Sequence, residues 1–204
     1  MRPSDGFDSQ AHEEHLETLP DRRLLDGLQA GDVETFTTIV RLYAVKLEGY
    51  VRRSISDPDV AADIVQDVFT ELWERRATVV VRTTLQAYLY GSARHHVLRK
   101  IRRTQLEDRC TVEFLATDTP PGIGNAPPRP DTLLERHELN VTLARALETL
   151  SPRVRQVALL RWRDRLSRAE IAAVLGVSVA TVRNQLTTAT AVLRKILTDI
   201  FSNE

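Results

Sequence analysis

Apolar residues recur along this chain at steps of three and four, the period of a helix with one buried face. Phe36, Ile39, Val40, Tyr43 and Leu47 make one such stripe, with Gly31-Asp32 as its start. Asp57-Pro58 marks a second start, an N-cap carboxylate followed by proline at the first helical position. Behind it Ala61, Ile64, Val65, Val68, Leu72 and Trp73 are placed inward. Residues 76–84 break the period with β-branched side chains and read as a loop. Thr84 then caps a helix that turns Leu85, Leu89, Val97 and Ile101 inward. Later, Leu139, Leu143, Ala146, Leu147 and Leu150 share a stripe, and Ser151-Pro152 restarts a helix carrying Val154, Val157, Ala158 and Leu160. Neither strand-like alternation nor internal repeats occur, so the expected fold class is all-α, in two small helical domains.

The run LSRAEIAAVLGVSVATVRNQL at 166–186 has a more specific outline. Ser167 caps a short helix with Ile171, Ala172 and Leu175 inward, Gly176 supplies a tight turn, and Ser178 caps the next helix. Two short helices joined this way predict a helix-turn-helix. Small Ala172 is expected to let the helices approach, and Val177 to plug the corner. The helix begun by Ser178 buries Val182, Leu186, Ala189, Leu193, Ile196 and Ile200. Its outer face shows Ala180, Thr181, Arg183, Asn184, Thr187 and Thr188, several of which can reach base edges in a major groove. A helical hairpin with no nucleic-acid role has the same outline. The six arginines of residues 151–168 favour the DNA reading, since the first helices of this motif lie along phosphates.

The 204 residues suit one or two domains. Residues 1–20 are polar and acidic and read as a mobile tail; 21–106 form the first domain and 137–204 the second. Between them, 107–136 read as a flexible linker, because five of the nine prolines fall between Asp118 and Asp131. About 30 such residues span roughly 30 Å on average. The N-terminus lacks an apolar signal segment, and no apolar run is long enough for a membrane span, so neither secretion nor membrane insertion is expected. The single cysteine, Cys110, cannot form an internal disulfide, and a cytoplasmic location fits best.

The formal charge is zero, which by itself argues against nucleic acid, but the charges are segregated. Residues 1–34 carry a net −6, residues 57–74 hold six acids and no base, residues 94–109 carry +4, and residues 151–168 carry +5. Blocks of like charge suit separate partners; the bland alternative is solvated helix faces. Asp59, Asp63, Asp67 and Glu71 repeat at four-residue steps, and such pairs cost a few tenths of a kcal/mol each in an isolated helix, a cost that a basic partner offsets. Tyr88 and Tyr90 offer aromatic faces for a splayed base, with Arg94, Arg99 and Arg103 to track phosphates. The tyrosines are two apart, so they cannot both face the core. Nucleotide-loop, hydrolase and metalloprotease motifs are all missing, so no enzyme, cofactor, metal or small-molecule substrate is expected.

Taken in order, DPDVAADIVQDVFTELWERR, LQAYLYGSARHHVLRKIRR and LSPRVRQVALLRW…LSRAEIAAVLGVSVATVRNQL resemble the extracytoplasmic-function sigma factors of bacterial RNA polymerase, over about 21–197. The resemblance implies a region 2-like bundle and a region 4-like helix-turn-helix. It implies that Asp59, Asp63, Gln66, Asp67 and Glu71 dock on the β′ clamp helices of core polymerase. Tyr88, Tyr90, Arg94, His95, Arg99 and Arg103 would then melt and read the promoter −10 region. The −35 element would be met by Ser178, Ala180, Thr181, Arg183, Asn184, Thr187 and Thr188. It further implies a contact with the β flap, a linker near the RNA exit path, and an anti-sigma factor as regulator. His95 stands where the family usually has asparagine, and Arg99 where aspartate is common, which bears on the −10 preference. A stand-alone helix-turn-helix regulator would leave the acidic and Tyr/Arg helices unexplained. A helical adaptor would leave Arg183-Asn184 unexplained.

Overall fold

The computed structural model describes residues 21–108 and 145–201, and its regular elements among them are all α-helices. The tail, the proline-rich segment and the positions of Leu139 and Leu143 lie outside the described residues. The chain divides into two units, Met1–Ala116 and Thr117–Glu204.

In the first unit, α1 (21–29) leads through Gly31, at φ +78°, into α2 (Val33–Val51), followed by α3 (Pro58–Glu74) and α4 (Leu85–Asp108). The starts are fixed by side chains. Asp32 accepts from the backbone N–H of Glu34 and Thr35, and Asp57 from those of Asp59 and Val60. α4 is capped twice: Ala87 N–H donates to Thr84 Oγ1 at 3.1 Å, and Leu85 N–H to Asp21 Oδ2 at 2.8 Å. The second cap ties α1 to α4 across the sequence. Ile39, Leu47, Val51, Ala61, Val68, Leu72, Leu85, Leu89 and Tyr90 are buried where α2, α3 and α4 meet, and Leu28 of α1 is fully buried as well. Each large aliphatic there is worth about 1.5–3 kcal/mol relative to exposure. The loop before α4 is pinned by buried Val79, whose carbonyl accepts from Gln29 Nε2 at 3.3 Å, while Val80 points to solvent.

In the second unit, α5 (145–148), α6 (Pro152–Trp162), α7 (Arg168–Leu175) and α8 (Val179–Phe201) follow one another. Leu150, Ala158 and Ala189 form a core flanked by Leu147, Val154 and Val192. Ser167 and Glu170 make a reciprocal capping box at the head of α7. Gly176 sits at φ 68°, ψ 37°, the left-handed conformation that ends a helix at little cost only for glycine. One expectation is overturned here. Val177 does not plug the corner: its side chain is 39% exposed, and its backbone N–H closes the turn instead by donating to Ala172 O at 3.1 Å. Leu166, Val174 and Ala172 fill the interior.

Candidate nucleic-acid and protein interfaces

α3 carries the acidic ladder. Asp59, Asp63, Gln66 and Asp67 are exposed along it. Glu71 is held differently, because the helix turns it toward α4. Its Oε2 accepts from His96 Nε2 at 3.0 Å, and its Oε1 lies 3.0 Å from Arg75. The hydrogen bond from His96 comes first among the causes that hold its carboxyl below the usual range, against a smaller opposing effect of burial. Three open carboxylates therefore face outward where four were expected, and the fourth belongs to an internal network.

Beside the ladder runs a groove of about 500 Å³ between α2 and α3, walled by Phe36, Val40, Ala44, Val65, Phe69 and Trp73, with Glu48, Gln66 and Thr70 also on its lining. The Phe36 ring stands edge-on to Phe69 at 6.5 Å and tilts against Trp73 at 4.8 Å. The Arg76 guanidinium lies 4.4 Å from the Trp73 ring centre. Phe36, Val40 and Trp73 are thus half-buried walls and not closed core. The signal was present in the sequence: Phe36, Val40 and Ala44 widen the stripe of Ile39, Tyr43 and Leu47 beyond what one core contact needs.

α4 separates the residues assigned to it. Tyr90 is fully buried with its ring 5.1 Å from that of Tyr50, so it belongs to the core and presents no face to a base. Tyr88 is half-exposed, and its hydroxyl is pushed up by burial and then by the charge of Glu71. Tyr88, His95, Arg99 and Arg103 follow at steps of seven, four and four, which places them on one side of the helix. Arg94 does not join them. It is half-buried and lies five residues before Arg99, about 140° round the helix. His96, absent from the expected set, is only 7% exposed and binds both Glu71 and Arg99. The partner 25 residues earlier is what sequence spacing cannot supply.

α8 presents its assigned face cleanly. Val182 and Ala189 are fully buried and Leu193 nearly so, while Ala180, Arg183, Asn184, Thr187 and Thr188 are exposed. Ser178 Oγ accepts from Thr181 N–H at 3.0 Å and meets Thr181 Oγ1 at 2.8 Å, so these two spend hydrogen bonds on capping. Thr187 and Thr188 donate their hydroxyls to the carbonyls of Arg183 and Asn184. Each is left a methyl group and acceptor lone pairs, suited to a thymine methyl or a base amino group. Among the upstream arginines, Arg155 is spent on the carbonyls of Leu147 and Glu148, and Arg161 donates to Leu166 O. Arg153, Arg163, Arg165 and Arg168 are exposed.

Comparison with known proteins gives these surfaces their context. The family model for sigma-70 region 2 matches residues 39–107, and that for sigma-70 region 4 matches residues 141–191. The chain is 28% identical over 177 residues to the ECF RNA polymerase sigma-E factor of Escherichia coli K12, covering 83% of this chain and 90% of that one. It is 26% identical over 183 residues to the RNA polymerase sigma-H factor of Pseudomonas aeruginosa, covering 87% and 93%. Its fold is similar to that of CnrH in complex with the cytosolic domain of CnrY (TM-score 0.56, 24% identity, 87% and 96% of the two chains). A similar likeness holds for the sigma factor RpoE in complex with the anti-sigma factor NepR from Bartonella quintana (TM-score 0.57, 22% identity, 81% and 98%). The chain belongs to the sigma-70 family as an extracytoplasmic-function sigma factor, a subunit that directs RNA polymerase to its promoters.

Proposed function

We propose that the sigma factor divides its work among three exposed helix faces. Asp59, Asp63, Gln66 and Asp67 of α3, with the apolar groove beside them, dock on the clamp helices of core polymerase. Tyr88, His95, Arg99 and Arg103 of α4 hold the opened −10 strand, the tyrosine by stacking and the arginines at phosphates. Arg183, Asn184, Thr187 and Thr188 of α8 read the −35 duplex, with Arg153, Arg163, Arg165 and Arg168 near its phosphates. Residues 107–136 serve as the linker between the two DNA-binding domains. The factor acts in the cytoplasm by binding and contributes no catalytic group of its own.

The observation that carries this reading is the segregation of exposed chemistry, acidic on α3, aromatic and basic on α4, polar on α8. Zero net charge leaves the free protein a poor DNA ligand, so promoter specificity arises once core polymerase holds both modules. The solved structures of CnrH and RpoE each contain a bound partner, the cytosolic domain of CnrY and the anti-sigma factor NepR. An anti-sigma factor is accordingly the regulator proposed here. In vitro transcription by purified holoenzyme over a library of −35 and −10 variants tests the assignment. Base preferences should appear at both elements, and a holoenzyme indifferent to either one removes that helix from the scheme.

A further inference from the structure

His96 joins two of these surfaces. Nearly closed off from solvent, it has both ring nitrogens in contact with charged side chains: Nε2 lies 3.0 Å from Glu71 Oε2 of α3, and Nδ1 lies 3.0 Å from the guanidinium of Arg99 on its own helix. Arginine can only donate, so Nδ1 must accept, and Nε2 carries the proton given to Glu71. Asp67 Oδ2 is 3.7 Å from Nδ1, beyond hydrogen-bond reach. Arg75 completes the set by pairing with Glu71.

An exposed arginine otherwise samples many rotamers, and a guanidinium already held in place loses less freedom when it meets a phosphate. We propose that His96 is a positioning residue for the −10 interaction. Glu71 orients its ring, and the ring fixes Arg99 on the face that also carries Tyr88, His95 and Arg103. The proposal rests on the reading of α4 as the −10 face. It also assigns Glu71 to the promoter side of the molecule, although its helix is the docking helix.

The two nitrogens can be removed separately. In His96→Gln the side-chain amide reaches the place of Nε2 and keeps a donor for Glu71, but leaves Arg99 without its acceptor. In His96→Asn the amide oxygen takes the place of Nδ1. Open-complex formation by holoenzyme, followed by permanganate reactivity at the −10 region, is measured for wild type, Arg99→Ala, His96→Gln and the double variant. Arg99→Ala and His96→Gln should each slow opening several-fold, with the double variant no slower than Arg99→Ala and core affinity unchanged. In the His96→Asn background Arg99→Ala should still cost several-fold, which guards against a general loss of folding in the first variant. If Arg99→Ala costs as much in His96→Gln as in wild type, His96 does not position it and the proposal is overturned while the −10 face stands. If Arg99→Ala, Tyr88→Ala and Arg103→Ala are all silent in wild type, the −10 assignment of α4 falls and the role of His96 falls with it.

Discussion

The two helices proposed to meet promoter DNA, α4 with 24 residues and α8 with 23, are held in opposite ways. On α8 the hydroxyls of the outer face bond within their own helix, Thr187 to Arg183 O and Thr188 to Asn184 O, and Arg183 and Asn184 stand exposed between them. On α4 the outer face is knitted to a neighbour, through His96 to Glu71 of α3. A reading head built like α8 can change its side chains without disturbing anything else. A face built like α4 shares its charges with α3. The difference implies that α8 can vary its proposed −35 preference on its own, while the proposed −10 face of α4 is built in part on a side chain of α3.

The separation breaks most visibly at α3. Lysine at both Asp63 and Asp67 should lower holoenzyme formation by about two orders of magnitude or more, since like charges brought together at a docking face cost several kcal/mol. Both side chains are exposed, so helicity and melting temperature should hardly move. Co-elution of the double variant with core polymerase at wild-type affinity would remove α3 from the docking surface.

Tyr88 and Tyr90 sharpen the comparison within α4. Tyr90→Ala opens a cavity where a fully buried ring stood, and unfolding of the first unit should become easier by about 3–5 kcal/mol. Tyr88→Ala should leave stability close to wild type and instead slow promoter opening, by an amount reflecting roughly 1–3 kcal/mol of lost stacking. Thermal melts and permanganate footprints of the two variants check the split. If they show the same phenotype, the two tyrosines do not have the separate places assigned here.

On α8, Arg183→Ala should relax base preference at one or two −35 positions and Asn184→Ala at a neighbouring one, each by roughly 1–3 kcal/mol of discrimination, with core binding intact. Gln185, Thr188 and Thr190 bring no positive charge to this helix, so on the proposed reading Arg183 and Asn184 should carry a large share of the specificity. Transcription from a −35 library by both variants decides the matter. Retention of the wild-type preferences would mean that the helix does not read DNA through these side chains.

How much of this was legible depends on whether the partner lies nearby in sequence. Asp32, Asp57, Thr84, Ser167 and Ser178 bond to backbone groups two or three residues on, so local chemistry marks the helix starts. The Ser167-x-x-Glu170 spacing even spells the capping box. The α8 face was legible for the same reason, since period alone separates Val182 and Ala189 from Arg183 and Asn184. Asp21 capping Leu85 was hidden because the two are 64 residues apart, and Glu71 looked like one more rung of a ladder until α4 packed against it. Val177 was misplaced because an apolar residue beside a turn suggests a plug, whereas the left-handed Gly176 lets the backbone do the closing. At Tyr88 and Tyr90, spacing forced a choice that only packing against Tyr50 could make.

The smallest effect expected is also the most direct probe of the link between α3 and α4. The Glu71 carboxyl is held below its ordinary value of 4.5, first by the hydrogen bond from His96 and further by the charges of Arg75 and Arg99, with burial opposing. A carboxyl whose folded value is depressed binds protons more readily in the unfolded chain. Its contribution to stability is therefore fully present above the unfolded value and is lost as the pH falls through the folded one. Glu71→Gln removes that contribution at every pH. The melting temperature of wild type should exceed that of Glu71→Gln at about pH 5 and above, and the gap should narrow steadily toward about pH 3. Asp32 titrates in the same range, its carboxyl also held low, chiefly by the Thr35 hydroxyl, but it is common to both proteins and cancels in the difference. Melts of the two proteins across that range make the test. A gap that stays constant with pH would show that Glu71 is not ionised in the contact, and the tie between α3 and α4 would then have to run through other groups.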